Sequence, residues 1–199
     1  IEYHQVQKKK LYFAHLDLSK AYNRVKRQKL WKSLSGVIPS DILIAIKSTY
    51  EYQAEIIKIG GSMSQPNFLN NGIRQGSVLS PLLFIHYINK LIENLEDTKR
   101  GITLPNLENP IPCLMFVDDL QLMANTIQDL AFLLEKVKGF SKTWGFIINM
   151  EKTHILSNDK SQDLKKWCKE NNLPKEPSKP SEYLEDKKPI LGTAAQEQA

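Results

Sequence analysis

The order of apolar and polar positions predicts a chain that mixes short strands with helices. Residues 11–18, LYFAHLDL, form a short apolar run bounded by lysines, which is typical of a buried strand. Apolar side chains at helical spacing follow and predict two helices, one that ends at Gly36 and one with Ser40 as its N-cap. Residues 53–69 alternate and contain paired glycines, which predicts a hairpin or a strand pair.

The second half of the chain predicts two longer helices. Ser80 is followed by a proline, the usual order of N-cap and first helical residue, and an apolar face continues from there to about Leu95. Thr126 resembles the first residue of a capping box. Helical spacing behind it continues to Trp144, where Gly145 ends the helix.

Two adjacent aspartates interrupt the apolar sequence between these helices. The runs 111–117 and 120–124 lie on either side of Asp118 and Asp119, which is the pattern of a hairpin with the acids at its tip. Two further segments look like strands on either side of a polar turn, 146–148 and 154–156.

These elements together predict the α+β class, with an antiparallel sheet and helices packed on one face, in one domain over residues 1–156. The composition changes after residue 156, where prolines and charges of both signs interrupt any regular pattern. We therefore expect residues 157–199 to be a loosely ordered or linker-like tail.

Composition and charge narrow the possible partners. The chain has 199 residues, 41% apolar and 25% charged, which is typical of a globular protein. Its formal net charge is +5, and basic side chains are concentrated in the first 32 residues, among them Arg24, Lys26 and Arg27. This excess favours a polyanionic partner, although a solvated basic face explains the charges equally well.

Other general features concern location and completeness. No apolar run reaches the roughly 20 residues that cross a bilayer, so we expect no membrane partner. Two cysteines far apart are too few for a disulfide framework or a zinc knuckle, and they favour a reducing, intracellular location in the nucleus or cytoplasm. The chain begins at Ile1 rather than at a methionine, so we expect it to be a piece of a longer protein.

The acids at Asp17, Asp118 and Asp119 all fall near strand ends or turns, where an antiparallel sheet can bring them together. Two carboxylates about 4 Å apart repel by roughly 4 kcal/mol at an effective dielectric near 20, a cost that a bound cation removes. Mg²⁺ prefers such oxygen ligands together with substrate phosphates. Taken alone, the Asp118–Asp119 pair is better explained as an ordinary surface turn, and Asp17 alone is a still weaker signal.

Four motifs, in order, carry a family resemblance: HLDLSKAYNRV, NNGIRQGSVLSPLLF, CLMFVDDLQLMA and GFIINMEKT. Their order and spacing resemble the palm motifs of reverse transcriptases, especially those of LINE-like retrotransposons without long terminal repeats. The resemblance spans residues 11–156. It implies that Asp17, Asp118 and Asp119 are the catalytic carboxylates, which with the backbone carbonyl of Leu18 would hold two Mg²⁺ ions, with Mn²⁺ as a substitute.

The resemblance also implies substrate-binding residues. Tyr22 matches the aromatic side chain that packs under the nucleotide sugar and obstructs a 2′-hydroxyl. Gln75 and Gly76, with Ser77, match a loop that contacts the incoming nucleotide and the template. Lys152 matches a lysine near the triphosphate. Each residue also has a purely structural explanation: Tyr22 as a core tyrosine, the loop of Gln75 and Gly76 as a glycine turn before a helix, and Lys152 as a solvated lysine.

The activity implied is RNA-directed DNA polymerisation, in which a primer 3′-hydroxyl attacks a deoxynucleoside triphosphate. The partners would be an RNA template, a DNA primer and the fingers, thumb and endonuclease regions of a longer polyprotein, which we expect to be missing here. The alternative is a catalytically inactive or co-opted remnant that binds nucleic acid without polymerising. A metal-dependent nuclease or a cyclase-like palm would share the acids but not the RQGS loop, whereas maturases and telomerases would share the chemistry.

The chain departs from the family pattern at three places. Asn23 stands where related enzymes often have aspartate, and Val117 stands where alanine is frequent. The fifth motif, a hairpin that grips the primer, has at most a remnant in residues 182–185.

Overall fold

The computed structural model describes residues 10–158 and 162–173, with the side chain of Glu151 excepted. The strands are β1 Tyr12–Leu18, β2 Ala54–Glu55, β3 Lys58–Ile59, β4 Ser62–Met63, β5 Asn67–Phe68, β6 Cys113–Phe116, β7 Asp119–Ala124 and β8 Ile148–Ser157. The helices are α1 Ala21–Arg24, α2 Arg27–Leu34, α3 Ser40–Ser48, α4 Ser80–Glu96, α5 Ile127–Trp144 and α6 Gln162–Glu170. Strands and helices are therefore mixed along the chain, as the apolar pattern predicts.

A four-stranded antiparallel sheet, in the order β6-β7-β1-β8, is the centre of the fold. The first strand of the chain thus lies inside the sheet, between two strands that follow it by about a hundred residues or more. Its pairing with β7 begins at Tyr12 opposite Ala124 and ends at Asp17 opposite Asp119. Its pairing with β8 contains an irregularity between His15 and Asp17.

The two faces of this sheet differ because side chains alternate along each strand. Ala14, Leu16, Leu120 and Leu122 are fully buried on one face, in the same core cluster as apolar residues of α4 and α5. The other face carries no such helix layer within the described part of the chain. We call it the open face; a small apolar cluster covers its far end, Leu11, Phe13, Met123 and Leu156.

Aromatic side chains join the helix layer to the connection that leads into β8. Tyr87 of α4 is fully buried, with its ring edge-on to Trp144 at 4.9 Å and to Phe146 at 5.4 Å. Its hydroxyl accepts a hydrogen bond from the Lys26 N–H at 3.1 Å and donates one to the Trp144 carbonyl at 2.5 Å. The buried hydroxyl therefore satisfies two backbone groups that the core would otherwise leave unpaired.

Two of the predicted helix caps are not caps. Ser40 and Ser80 are the first residues of their helices, and the N-cap positions belong to Pro39 and Leu79, which make no side-chain cap hydrogen bond. The Ser80 side chain is fully buried instead, 3.3 Å from the Tyr50 hydroxyl. The Ser80 hydroxyl thus interacts with Tyr50, a residue distant in sequence, instead of capping the start of the helix as the local pattern predicts.

Two other elements differ from the prediction. Residues 146–156 do not form two segments around a turn, because β8 runs unbroken through the polar residues and pairs with β1. Helix α6 lies in the segment predicted to be a loose tail, and the core includes Leu164, Cys168 and Leu173.

The last part of the chain lies outside the described residues. This part, residues 174–199, contains the remnant of the fifth motif. Within the described ranges, no helix combines the length and the apolar composition needed to cross a bilayer.

Candidate functional site

The register of β1 and β7 brings two of the predicted catalytic acids together. Asp17 lies directly opposite Asp119 in an antiparallel pair. Residues opposite each other point to the same face, with Cβ atoms about 4.5–5.5 Å apart. Both belong to the open face, since their neighbours Leu16, Leu18 and Leu120 are buried against the helices.

Asp118 lies in the turn next to this pair. Its backbone carbonyl accepts a hydrogen bond from the Leu18 N–H at 3.2 Å, which fixes the turn against the end of β1. Its side chain is exposed, whereas those of Asp17 and Asp119 are half-buried. The turn therefore places the Asp118 backbone beside β1 and leaves its carboxylate toward solvent.

The turn itself contains a strained residue. A two-residue connection, Val117 and Asp118, joins Phe116 to the directly opposite Asp119. Val117 has φ 55, a left-handed conformation that a β-branched side chain rarely adopts, at a cost of about 1–3 kcal/mol. A positive φ at the first central residue matches the twist of antiparallel strands. This tight hairpin brings Asp119 into register with Asp17.

Two basic side chains lie beside the paired carboxylates. The Lys152 Nζ is 3.9 Å from the Asp17 Oδ1, and the His15 Nε2 is 3.6 Å from the Asp119 Oδ1. Like charges directly opposite each other in a sheet destabilise it, and the Lys152 ammonium reduces this cost at Asp17. Because the Lys152 side chain is 68% exposed, its attraction to Asp17 is well screened by water.

The donor set fits a hard cation only in part. Among the described residues, no three or more His, Cys, Asp or Glu side chains are grouped so that they could hold a metal ion. The Asp17–Asp119 pair offers two carboxylates, which is the number that Mg²⁺ commonly takes from a protein when substrate phosphates complete its shell. The structure thus brings two of the three predicted acids together, and does not add the Asp118 carboxylate to them.

Tyr22 lies in the short helix that follows β1. Its half-buried ring stacks on Phe84 of α4, with centroids 4.8 Å apart and planes 11° from parallel. Its backbone carbonyl accepts the Ile73 N–H at 3.0 Å. The stacking on α4 and this backbone hydrogen bond fix the position of Tyr22 relative to the loop that carries Gln75 and Gly76.

That loop approaches α1 so closely that glycine is required. The Gly72 N–H donates to the Val25 carbonyl at 2.8 Å, and a Cβ on Gly72 would lie 2.9 Å from the Asn23 carbonyl oxygen. Gly72 also has φ 84. Gln75 and Gly76 follow in exposed positions. A cavity of about 430 Å³ lies beside the loop, lined in part by Asn23, Arg74 and Gln75.

Two residues of this region have a structural position that their sequence pattern did not single out. Arg27 counts among the early basic residues in the sequence, but it is buried and hydrogen-bonded to the loop. His15 lies two positions before Asp17 in a strand and therefore on the same face. The strand period was the available signal for His15. No local pattern distinguishes a buried arginine from a solvated one.

Comparisons with known proteins bear on the family of the chain. Residues 1–192 match the family described as reverse transcriptase (RNA-dependent DNA polymerase). The chain is 29% identical, over 145 residues and 71% of its length, to the Pol polyprotein of the R2DM retrotransposable element of Drosophila melanogaster. It is 29% identical, over 170 residues and 83% of its length, to an R2 Pol polyprotein of Nasonia vitripennis. It spans 13% and 16% of those two relatives.

Solved structures show the same fold. Candida tropicalis telomerase, truncated from its C-terminal domain, has a TM-score of 0.57 at 19% identity, over 79% of this chain and 33% of that one. The same enzyme with a fragment of telomeric RNA has a TM-score of 0.59 at 16% identity, over 77% of this chain and 27% of that one. The predicted α+β palm, an antiparallel sheet with helices on one face, is confirmed. The chain belongs to the reverse transcriptase (RNA-dependent DNA polymerase) family, as its four motifs predict.

Proposed function

We propose that this chain is the palm of an RNA-directed DNA polymerase from a retrotransposon, with residues 1–156 as the palm and with α6 of the following segment packed into the same core. The observation that carries the proposal is the direct pairing of Asp17 with Asp119 on the open face, beside a strained turn that holds Asp118. Like charges in register weaken a sheet, so a functional role accounts for them better than stability does.

The reaction would join a nucleotide to a primer. The primer 3′-hydroxyl oxygen attacks the α-phosphorus of a deoxynucleoside triphosphate, the bond to the bridging oxygen breaks, and pyrophosphate leaves. Asp17, Asp119 and the Leu18 carbonyl, with Asp118 alongside, would hold two Mg²⁺ ions, or Mn²⁺ in their place. When bound, the ions would supply charge neutralisation for the transfer. The rest of the catalysis is positioning by the chain.

The remaining predicted residues have positions that suit this reaction. Tyr22 is held by Phe84 at a fixed place, where its ring can pack under the nucleotide sugar. Gln75 and Gly76 are exposed beside the cavity and can contact the base and the template. Lys152 lies near Asp17 with most of its side chain in water, free to donate a proton to the departing pyrophosphate. An RNA template and a DNA primer would lie along the open face.

Primer extension on an RNA template tests this function. The assay uses this chain and, in parallel, the longer protein that contains it, since the relatives are several times longer. Asp17→Asn and Asp119→Asn should each reduce nucleotide incorporation by at least about 10³-fold, because electrostatic stabilisation of the transition state is lost. Asp41→Asn, an exposed aspartate in α3, is the matched control and should leave incorporation unchanged. Incorporation that survives Asp119→Asn contradicts the proposal.

A second function is supported by one observation. The described residues hold no three-carboxylate group arranged for a metal ion, as expected of a remnant that binds nucleic acid without polymerising. Salt-sensitive binding of RNA or DNA, without incorporation by either the chain or the longer protein, would support this alternative. Incorporation that requires Asp17 and Asp119 would exclude it.

A further inference from the structure

We propose that Arg27 is a positioning residue for the nucleotide, because its buried guanidinium holds the loop of Gln75 and Gly76 at a fixed distance from Tyr22. This inference rests on the proposed function only in naming the nucleotide. The structural part, that Arg27 orders the loop, can be tested without any catalysis.

Arg27 is the first residue of α2 and is only 6% exposed. Its Nε donates to the Gly72 carbonyl at 2.7 Å. Its Nη1 donates to the carbonyls of Tyr50 at 3.1 Å and Leu69 at 2.6 Å, and its Nη2 donates to the Gln53 Oε1. One side chain therefore joins the end of α3, both ends of the 53–69 hairpin and the loop behind it.

The chemistry of these contacts favours arginine. The acceptors are neutral oxygens, so the stabilisation comes from several charge-assisted hydrogen bonds at once, and the planar guanidinium presents its donors in a fixed fork. The Tyr50 ring lies below the charge, 5.1 Å from the guanidinium carbon. Burial lowers the Arg27 pKa, but an arginine remains charged at neutral pH. A lysine at this position could not reach the same set of acceptors.

The loop is held from two sides. Arg27 takes the Gly72 carbonyl, while the Gly72 and Ile73 N–H groups donate to the carbonyls of Val25 and Tyr22. Arg74 then donates to the Thr49 carbonyl at 2.7 Å. Each of the three residues before Gln75 is therefore held by a hydrogen bond to another part of the chain.

The cavity beside the loop connects the fixed position of the loop with nucleotide binding. Its lining includes Arg27 with its partners Gln53 and Gly72, and also Asn23 and Gln75. If the loop loosened, Gln75 would no longer keep a fixed distance from the sugar-packing ring of Tyr22. The paired acids lie on β1 and β7, outside these contacts, so nucleotide binding would weaken more than the chemical step.

Arg27→Met tests the inference, with Arg27→Lys as the conservative variant and Lys32→Met as the control. Lys32 is an exposed basic residue in the same helix. Its replacement also exchanges a positively charged side chain for methionine, but at a position away from the loop. Amide hydrogen exchange of the whole chain should show Gly72 and Ile73 exchanging at least about 10-fold faster in Arg27→Met, with part of the protection restored in Arg27→Lys. Lys32→Met should exchange like the unchanged protein.

Steady-state kinetics of nucleotide incorporation supply the second measurement. Arg27→Met should raise KM for the deoxynucleoside triphosphate about 10-fold or more while kcat changes less than about 3-fold, the signature of lost ground-state positioning. A purely structural role would instead lower kcat and the melting temperature with KM unchanged. If Arg27→Met does not fold, Gln53→Leu removes one acceptor and should shift both readouts in the same direction, by less.

Either of two results overturns the inference: unchanged exchange at Gly72 and Ile73, or faster exchange with an unchanged KM. Absence of incorporation by the unmodified protein would refute the proposed polymerase instead. The exchange experiment would then still decide whether Arg27 orders the loop.

Discussion

At the scale of single residues, the site combines features that weaken the fold locally. Asp17 and Asp119 place two negative charges in register, and Val117 adopts a left-handed backbone conformation next to them. Each is unfavourable for a sheet that needs only to be stable. The proposed function accounts for their combination at one end of the open face, because there binding rather than packing would determine the residue types.

The charge pair leads to a prediction about stability. At pH 8 in a chelator, Asp119→Asn should raise the free energy of unfolding by about 0.5–1 kcal/mol, because it removes a like charge opposite Asp17. Added Mg²⁺ should stabilise the unchanged protein and not the variant, since only the former keeps both carboxylates. Urea unfolding with EDTA and with Mg²⁺ measures both effects. Equal stabilisation of both proteins by Mg²⁺ would contradict the assignment.

Tyr87 provides a prediction about pH. Burial raises the pKa of this phenol from 10.0 to about 12, while its hydrogen bond from the Lys26 N–H acts in the opposite direction. Between these values an unfolded chain loses the phenol proton and the folded chain keeps it. Stability therefore falls as the pH rises through this window, by up to about 2–3 kcal/mol for two pKa units.

Tyr87→Phe removes this titration together with two hydrogen bonds. The variant should be about 1–3 kcal/mol less stable at pH 8, because the Trp144 carbonyl and the Lys26 N–H lose a buried partner. The difference from the unchanged protein should shrink between pH 10 and 12. Urea unfolding across that range is the measurement, and a difference that stays constant with pH would refute the assigned cause.

At the scale of elements, helix α5 is the clearest case of local control. The Thr126 hydroxyl accepts the Asp129 N–H at 3.0 Å, and the helix ends at Gly145 with φ 87. A Cβ on Gly145 would meet the Lys26 side chain at 2.8 Å. Both ends are therefore determined by residues next to them in sequence, although the C-terminal end also has a tertiary neighbour.

Removal of the N-terminal cap tests this local control. Thr126→Ala should reduce the free energy of unfolding by about 1 kcal/mol, because the Asp129 N–H loses its acceptor. Gln128→Ala, at an exposed position in the first turn of the same helix, should have an effect near zero or be slightly stabilising. Chemical denaturation of both variants measures these changes in the free energy of unfolding. A loss no larger than that of the control would show that the cap contributes nothing.

At the scale of the whole molecule, the two faces of the sheet have different surroundings. Helices α4 and α5 bury one face in the main core, while the open face carries a row of polar residues below the acids. Gln121, His15 and His154 lie side by side on adjacent strands in that row. Under the proposed function, a polyanion held at Asp17 and Asp119 through cations would lie next to this row.

Two matched substitutions test which face binds nucleic acid. Gln121→Glu and Gln128→Glu each add one negative charge, the first on the open face and the second on the helix layer. Fluorescence anisotropy with an RNA–DNA hybrid should show weaker binding for Gln121→Glu, by about 3-fold or more at 0.1 M salt, where charges act over about 10 Å. Gln128→Glu should bind like the unchanged protein. Equal losses for both would place the nucleic acid elsewhere.

The local pattern of apolar and polar residues was sufficient to predict many elements of this molecule. The strand period identified β1 and the hairpin around Asp118, and helical spacing with Gly145 identified α5 and its end. These features depend on residues a few positions apart, so the sequence contains all the information that they need. The four motifs placed the chain in its family for the same reason, because motif order and spacing are properties of the sequence itself.

Tertiary structure decided what depends on partners distant in sequence. Asp17 meets Asp119 only because β1 lies between β7 and β8, Ser80 turns to Tyr50 rather than to its helix end, and Arg27 finds its acceptors 23 to 45 residues away. Helix α6 packs against the core through contacts that its polar sequence, followed by prolines, does not reveal. The physical reason is that burial and hydrogen-bond partners are set by the packed neighbours. A pattern of adjacent residues specifies which elements can form, and packing determines which of their side chains meet.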